Sequence, residues 1–332
     1  MNTFESLLEP HRERLRLHCY RMLGSSHDSD DMVQETFLRA FRAQHTLADP
    51  AHARAWLHRI ATHVCIDELA KRPRRARGPD LGPAADPDAP PAASTPDAEW
   101  LEPAPSAWLS AATTEVDSPV AQYTMKESVA LAFVAALQVL TPTQRAVLLL
   151  RDVVGLSAQE TAEALGCSVS SANSTLHRAR VALEQRVGPR AGWSPDAGAV
   201  DRALLERYLR AWEQGNLDAV IALLHGDVIL SMPPSPTWIA GRSDVARFFT
   251  NRTLQAVRAR RFRATVVDTN GGMGVGFYRI DAQEVVFFAL QALSAKDGQI
   301  HAIDHFMSAS SHAAFFAGGL PRTLAFPRDT GA

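Results

Sequence analysis

Cysteine is scarce in this chain. Only Cys19, Cys65 and Cys167 occur, far apart and with no CxxC pair. That excludes a disulfide scaffold and a thiolate zinc site, and it fits a reducing compartment. There is no run of about 18 apolar residues, so no membrane-spanning helix is expected. Residues 1–18 lack the continuous apolar stretch of a secretory signal, so a cytoplasmic location is expected. Neither sign of charge dominates, with 34 Lys and Arg against 36 Asp and Glu and a net charge of −2. The chain as a whole is therefore not a polycation, and any nucleic-acid surface has to arise from local clustering. No His, Cys and carboxylate set has metal-ligand spacing, and no Ser or Cys stands in a nucleophile's context; neither a metal nor a cofactor is expected.

What is present is a globular composition, 46% hydrophobic and 21% charged, which excludes a chain disordered throughout. At 332 residues, two or three domains are expected. Residues 4–71 hold little Pro or Gly beyond Pro10, Gly24 and Pro50, and their apolar periodicity predicts helices. Between Pro73 and Pro119 the chain turns rich in Pro, Ala and Asp, which predicts a mostly disordered linker. One apolar island, with Trp100, Leu101, Trp108 and Leu109, interrupts it and reads as a docking segment. Helical pattern resumes from about Val120 to Val187. A helix-first, strands-later pattern follows, an α+β signature. The predicted domains are 1–75, a linker at 76–119, 120–188 and 196–325.

The strongest local signal lies between Leu140 and Val187. Thr141-Pro142-Thr143-Gln144 and Ser157-Ala158-Gln159-Glu160 are both capping boxes. Gly166 predicts a tight turn, and Ser168 can cap a third helix. Short helix, Gly turn and longer helix make a helix-turn-helix. On the third helix, Val169, Ala172, Leu176, Ala179 and Leu183 form an inward stripe. Ser170, Asn173, Ser174, His177 and Arg178 form the opposite one, with no carboxylate until Glu184. A helix that enters a DNA groove needs such a face, free of negative charge and carrying donors that reach base edges.

In the N-terminal block, Val33, Phe37, Ala40 and Phe41 are predicted inward on one helix, with Asp31, Gln34, Glu35 and Arg39 outward. On a second helix Trp56, Leu57, Ile60 and Val64 are predicted inward, and Arg59, His63 and Asp67 share a neighbouring face. The run Lys71-Arg72-Pro73-Arg74-Arg75-Ala76-Arg77 is a local polycation suited to phosphate.

Two of these segments carry a resemblance. Asp31-Met32-Val33-Gln34-Glu35-Thr36-Phe37-Leu38-Arg39-Ala40 together with Ala55-Trp56-Leu57-His58-Arg59-Ile60-Ala61-Thr62-His63-Val64-Cys65-Ile66-Asp67 resembles region 2 of sigma-70-type initiation factors. The helix-turn-helix with Leu176-His177-Arg178-Ala179-Arg180 resembles their region 4, and the combination resembles the extracytoplasmic-function group. Trp100-Leu101-Glu102-Pro103 is similar to a linker motif of branches with a fused C-terminal domain. The segment from about Val200 resembles a SnoaL-like, NTF2-fold domain, helices followed by a sheet curved into an open cone. The expected fold is thus an all-α half with two helical domains followed by an α+β cone. The resemblance implies two partners, core RNA polymerase (clamp helices and flap) and promoter DNA. It implies core docking through Asp31, Gln34 and Glu35, and capture of the −10 strand through Arg59, His63, Asp67 and Arg72. It implies −35 reading through Ser170, Asn173, Ser174, His177 and Arg178, and linker docking through Trp100 and Leu101. Asparagine is common in the family where this chain has His63. A basic residue is frequent where it has Asn173, whose side chain suits a bidentate contact to adenine.

For the C-terminal segment, fold alone does not decide function. Trp212, Met232, Trp238, Phe248 and Phe277 are candidates to line a small-molecule cavity or to form a plain core. Asp304 is a candidate acid or a salt-bridge carboxylate, with His301, His305, Tyr208 and Tyr278 as further polar candidates. Gly271–Gly276 opens no helix and reads as a hairpin turn rather than a phosphate loop. Two alternatives stand beside a regulated initiation factor: an NTF2-fold isomerase or hydrolase fused to a promoter-binding module, and a helix-turn-helix regulator that acts without polymerase.

Overall fold

Apolar spacing in the first 70 residues becomes four helices: α1 (Thr3–Leu8), α2 (Arg12–Leu23), α3 (Ser26–Arg42) and α4 (Ala53–Leu69). The computed structural model describes residues 3–71, 75, 77–94, 100–109, 130–186, 198–253, 262–280 and 284–325. Gly24 ends α2 in the left-handed region (φ 71°), and the Ser25 side chain accepts from Asp28 N at 3.0 Å to start α3. Val33, Thr36 and Ala40 are the buried stripe of α3. Val33 and Ala40 belong with Leu15, Cys19, Met22, Trp56, Leu57 and Ala61 to one buried helical group. Phe41, expected inward, is 46% exposed. It lies one residue, about 100°, beyond Ala40 on the helix, with its ring 6.2 Å from that of Phe4.

The chain divides into two compact units, Met1–Ala76 with Ala98–Pro189, and Arg77–Asp97 with Arg190–Ala332. The expected loose linker is thereby split. Residues 77–94, with the short helix α5 (Gly78–Leu81), belong to the C-terminal unit. Residues 100–109 belong to the helical unit and bury Trp100, Leu101, Trp108 and Leu109 there. Local composition predicted disorder because the stretch has few apolar residues of its own. Its order comes from surfaces distant in sequence.

The rest of the helical unit is α6 (Leu131–Leu137), α7 (Pro142–Leu148), α8 (Ala158–Leu165) and α9 (Val169–Arg186). Both predicted capping boxes form, Thr141 with Gln144 (3.0 and 3.3 Å) and Ser157 with Glu160 (2.7 and 3.1 Å). Gly166 takes the left-handed turn at φ 63°, and Ser168 Oγ accepts from Ser171 N at 3.1 Å. The α7 helix does not run straight to Gly155. From Leu149 to Val153 it widens into a π turn, closed by Val154 N donating to Leu149 O at 2.8 Å.

In the C-terminal unit, α10 (Arg202–Glu213), α11 (Leu217–Ala222), α12 (Arg242–Arg252) and α13 (Ala309–Ala317) accompany one mixed sheet. Its strands are β1 (Gly198–Ala199), β2 (Leu224–Ser231), β3 (Trp238–Ala240), β4 (Phe262–Thr269), β5 (Gly272–Ile280), β6 (Val285–Lys296), β7 (Gln299–Phe306) and β8 (Thr323–Leu324). The order is β3-β2-β7-β6-β5-β4, with β1 and β8 both on β6. All neighbours are antiparallel except β2 and β7, which run parallel. Breaks in register at Phe277/Tyr278 and Ser294/Ala295 bend the sheet. One face packs α10 against β4 and β5 and α12 against β2 and β3. Leu204, Tyr208, Trp212, Leu230, Ile239, Phe249, Val275, Phe277 and Ile303 fill the space between. The glycine-rich run makes a hairpin as predicted, but only Asn270 (φ 51°) and Gly271 (φ 74°) form its turn. Gly274 lies within β5, where a Cβ would collide with the Gln291 carbonyl.

Candidate nucleic-acid interface

The buried stripe of α9 includes Ala172, Leu176 and Ala179. Ser170, Asn173, Ser174, His177 and Arg178 are exposed on the other side, as the periodicity requires. Arg178 Nη2 donates to Thr175 Oγ1 at 2.9 Å, which aims the guanidinium along the helix. The cationic end of α9 is partly tied down, since Arg180 pairs with Asp152 at 2.7 Å.

On α3, Asp31 and Gln34 are exposed, and Glu35 is half-buried and paired with Arg39 at 2.7 Å. Arg39 also pairs with Asp67 at 2.8 Å, a bond that fixes α3 against α4. Leu38 (55% exposed) and Phe41 continue the Asp31–Gln34 face at helical spacing, so an apolar patch adjoins the acidic one. Arg59 is exposed on α4. His63 Nε2 lies 2.9 Å from the Ala164 carbonyl, and Arg54 Nη2 donates to the Val154 carbonyl. Both acceptors are carbonyls that the ends of a helix or turn leave without a helical partner. Arg145 on α7 donates to the Met22 carbonyl, to Gln138 Oε1 at 2.9 Å and to the Leu140 carbonyl at 3.2 Å.

Two cations of the predicted polycation are spent inside the protein. Arg75 pairs with Asp28 at 2.5 Å and donates to the Trp100 carbonyl at 2.8 Å. Arg77 pairs with Asp304 at 2.9 Å. Arg72 lies outside the described residues.

Trp100 and Leu101 are buried within the helical unit. The anchor beside them, Glu102, was not predicted. Its buried carboxylate accepts from Ser25 Oγ (2.8 Å), Ser26 Oγ (3.4 Å) and His27 N (3.1 Å) at the N-terminus of α3. Its amide donates to Gly24 O at 2.9 Å, and Tyr20 Oη donates to its carbonyl at 2.9 Å. The Leu101 side chain closes over Gly24, where a Cβ would come within 2.7 Å of it.

Of the cavity candidates, Trp212, Met232, Phe248 and Phe277 join one core group, with Trp212 edge-on to Phe277 at 5.6 Å. Trp238 does not. Ile239 takes the core side of β3, so its neighbour Trp238 takes the other, where its Nε1 donates to Gly82 O at 3.0 Å. The same alternation corrects Asp304 as a cone acid. Ile303 and His305 face the helices, and Asp304 faces away, toward Ser231 and Arg77. Inside the cone, Tyr208 Oη donates to Gln291 Oε1 at 2.8 Å, and Gln291 Nε2 donates to His305 Nδ1 at 3.0 Å. The His305 ring lies 5.9 Å from Phe288, and burial pushes its pKa down to about 4. Burial also raises the Tyr208 hydroxyl and lowers His301, the neighbouring His225 adding to the latter. Tyr278 Oη donates to Pro321 O at 2.8 Å and so secures the C-terminal segment.

Three family models match the chain: Sigma-70 region 2 over residues 7–75, Sigma-70 region 4 over 130–183 and the SnoaL-like domain over 205–306. The chain is 37% identical over 325 residues to the ECF RNA polymerase sigma factor SigG of Mycobacterium tuberculosis, covering 97% of this chain and 85% of that one. The chain belongs to the extracytoplasmic-function (ECF) sigma factors. It is also 27% identical to the ECF sigma factor SigJ of the same organism, over 91% of this chain and 90% of that one. The crystal structure of Mycobacterium tuberculosis SigJ superposes with a TM-score of 0.60 at 22% identity, covering 94% of this chain and 97% of that one, and shares its fold. This ECF sigma factor thus carries a helical half with both sigma regions and an α+β C-terminal domain of SnoaL-like fold. Among the described residues no helix is long and apolar enough to cross a membrane. What sequence reasoning missed in this sigma factor are Arg75, Arg77 and Glu102, each used by a partner distant in the chain.

Proposed function

We propose that this sigma factor, which directs RNA polymerase to promoters as its family does, reads the −35 element with Asn173, Ser174, His177 and Arg178, Ser170 assisting. The acid-free exposed face of α9 carries that reading. Asp31, Gln34 and Glu35, extended by Leu38 and Phe41, dock on the clamp helices of core polymerase. Arg59, His63 and Asp67 on α4 take up the −10 strand. In the present conformation His63 and Asp67 are engaged by Ala164 and Arg39, so that step requires α4 to separate from α8. The C-terminal domain restrains the sigma regions in cis. A small-molecule ligand for its cone is supported by the Tyr208–Gln291–His305 chain among aromatic rings. Asp304, the candidate acid, lies on the other face of the sheet, bound by Arg77 and Ser231.

In vitro transcription with added core polymerase tests the assignment. Glu35→Lys is expected to lower core affinity about tenfold (about 1.4 kcal/mol) and transcription with it, while promoter DNA binding by the free chain is retained. Equal core affinity of the variant and the native chain would remove the α3 face from the interface.

A further inference from the structure

Arg77 and Asp304 are both buried, at 8% and 6% exposure, and lie 227 residues apart in the chain. Arg77 Nη2 stands 2.9 and 3.0 Å from the two oxygens of the carboxylate. Ser231 Oγ donates to the nearer oxygen at 2.5 Å, and strand register holds Ser231 opposite Asp304 across β2 and β7. The Arg77 Nε is buried without a hydrogen-bond partner among the described residues. The pocket therefore neutralises the guanidinium without satisfying all of its donors. The residue after it is read by shape. A Cβ on Gly78 would sit 2.9 Å from Trp238 Cβ and 3.4 Å from Ser231 Cβ.

Downstream the segment stays on the same domain. Gly82 O accepts from Trp238 Nε1 at 3.0 Å, and Ala85 N donates to Trp238 O at 2.8 Å. Ala92 N donates to Thr237 Oγ1 and Ala92 O accepts from Ser235 Oγ, each at 2.8 Å. Asp88 receives Arg247 at 2.7 Å and Asn251 at 2.8 Å, and its carbonyl receives Arg252 at 3.0 Å. The contacts of Gly82 and Asp88 are exposed and polar, the kind that water replaces at little cost, while those of Ala92 with Ser235 and Thr237 are part-buried. The buried Arg77–Asp304 pair fixes register more than it adds stability, since burying two charges costs nearly what their attraction returns.

We propose that the face of the sheet around Asp304, Ser231 and Trp238 is a peptide site for an Arg-Gly sequence. Its resident ligand is the chain's own residues 77–94, held in cis and able to exchange. Docked, the strap withholds from the connection between the two promoter-binding regions about 60 Å of chain at full extension. Released, it returns that length. The transcriptional consequence rests on the cis-restraint reading above; the site itself does not.

Hydrogen exchange on the full-length chain tests the site without polymerase. In Arg77→Ala and Asp304→Asn, the Ala85 and Ala92 amides are expected to exchange at least tenfold faster than in the native chain. The β5 and β6 amides are expected to remain protected, showing that the domain is folded. A synthetic peptide of residues 75–94, added to the Arg77→Ala chain, is expected to restore protection at β3. The same peptide with Gly78→Ala is expected to bind at least tenfold more weakly. Unchanged Ala85 and Ala92 exchange in both variants overturns the site, as does equal binding of the two peptides. Faster exchange combined with native transcription by the variants keeps the site and overturns the length control and the restraint.

Discussion

Helices α4 and α9 are the two elements proposed to meet promoter DNA, and they are presented in opposite ways. The polar face of α9 stands in solvent, with its nearest acid pairing at Arg180, beside the reading residues and not on them. On α4, His63 reaches the Ala164 carbonyl, Arg54 the Val154 carbonyl, and Asp67 the Arg39 guanidinium. The difference lies in what the helix-turn-helix leaves unsatisfied. Its helix ends expose carbonyls, and cations or imidazoles of α4 supply the missing donors. The helix proposed to recognise duplex is open in this conformation, and the one proposed to capture a single strand is closed by the same module. On that proposal, recognition and opening are coupled through a few hydrogen bonds.

The sharpest way to break this contrast is at Arg145, which joins α7 to the end of α2 through the Met22 carbonyl and to Gln138 and Leu140. Arg145→Ala strands buried acceptors and is expected to cost about 3 kcal/mol. Hydrogen exchange of the α2 and α7 amides reads it, and native protection in the variant would show that the two regions are held elsewhere. Next in size is Asn173→Ala on the open helix. A lost base contact is worth about 1–3 kcal/mol and relaxes preference at a single −35 position. A panel of promoter variants gives the profile, and an unchanged one removes Asn173 from the reading set. The smallest effect belongs to His63→Ala, which deletes one hydrogen bond between α4 and α8 worth about 1 kcal/mol. Paired spin labels on these helices are expected to show a larger separated fraction; an unaltered distance distribution would mean that the Ala164 carbonyl does not hold α4.

Legibility in the sequence followed the range of the interaction. The caps at Thr141, Ser157 and Ser168, the Gly166 turn and the inward stripe of α9 are contacts within a few residues, and each was readable from spacing. The exposed face that the proposed DNA contacts share was readable for the same reason. Arg75, Arg77 and Glu102 were not. The polycation read as a phosphate surface, yet Arg75 meets Asp28 47 residues away and Arg77 meets Asp304. Glu102 caps α3 from 77 residues downstream. Helices α12 and α13 went unpredicted because a proline-rich turn and a strand end preceded them. Chemistry left Asp304 open between a pocket acid and a salt-bridge carboxylate, and Trp238 between cavity and core; strand alternation, decided by the register of β2, β3 and β7, turned both outward.

The parallel pairing of β2 with β7 has a consequence for the order in which the chain matures. Hairpins β4–β5, β5–β6 and β6–β7 join neighbours in sequence, but Ser231 meets Asp304 only once a long intervening segment has been made and folded. The receptor for Arg77 does not exist until then. Synthesis runs from the N-terminus, so both sigma regions leave the ribosome before β7 does. Every newly made molecule therefore passes through a youth in which Arg77 has no Asp304 to pair with, and a chain whose translation stops before β7 never leaves it.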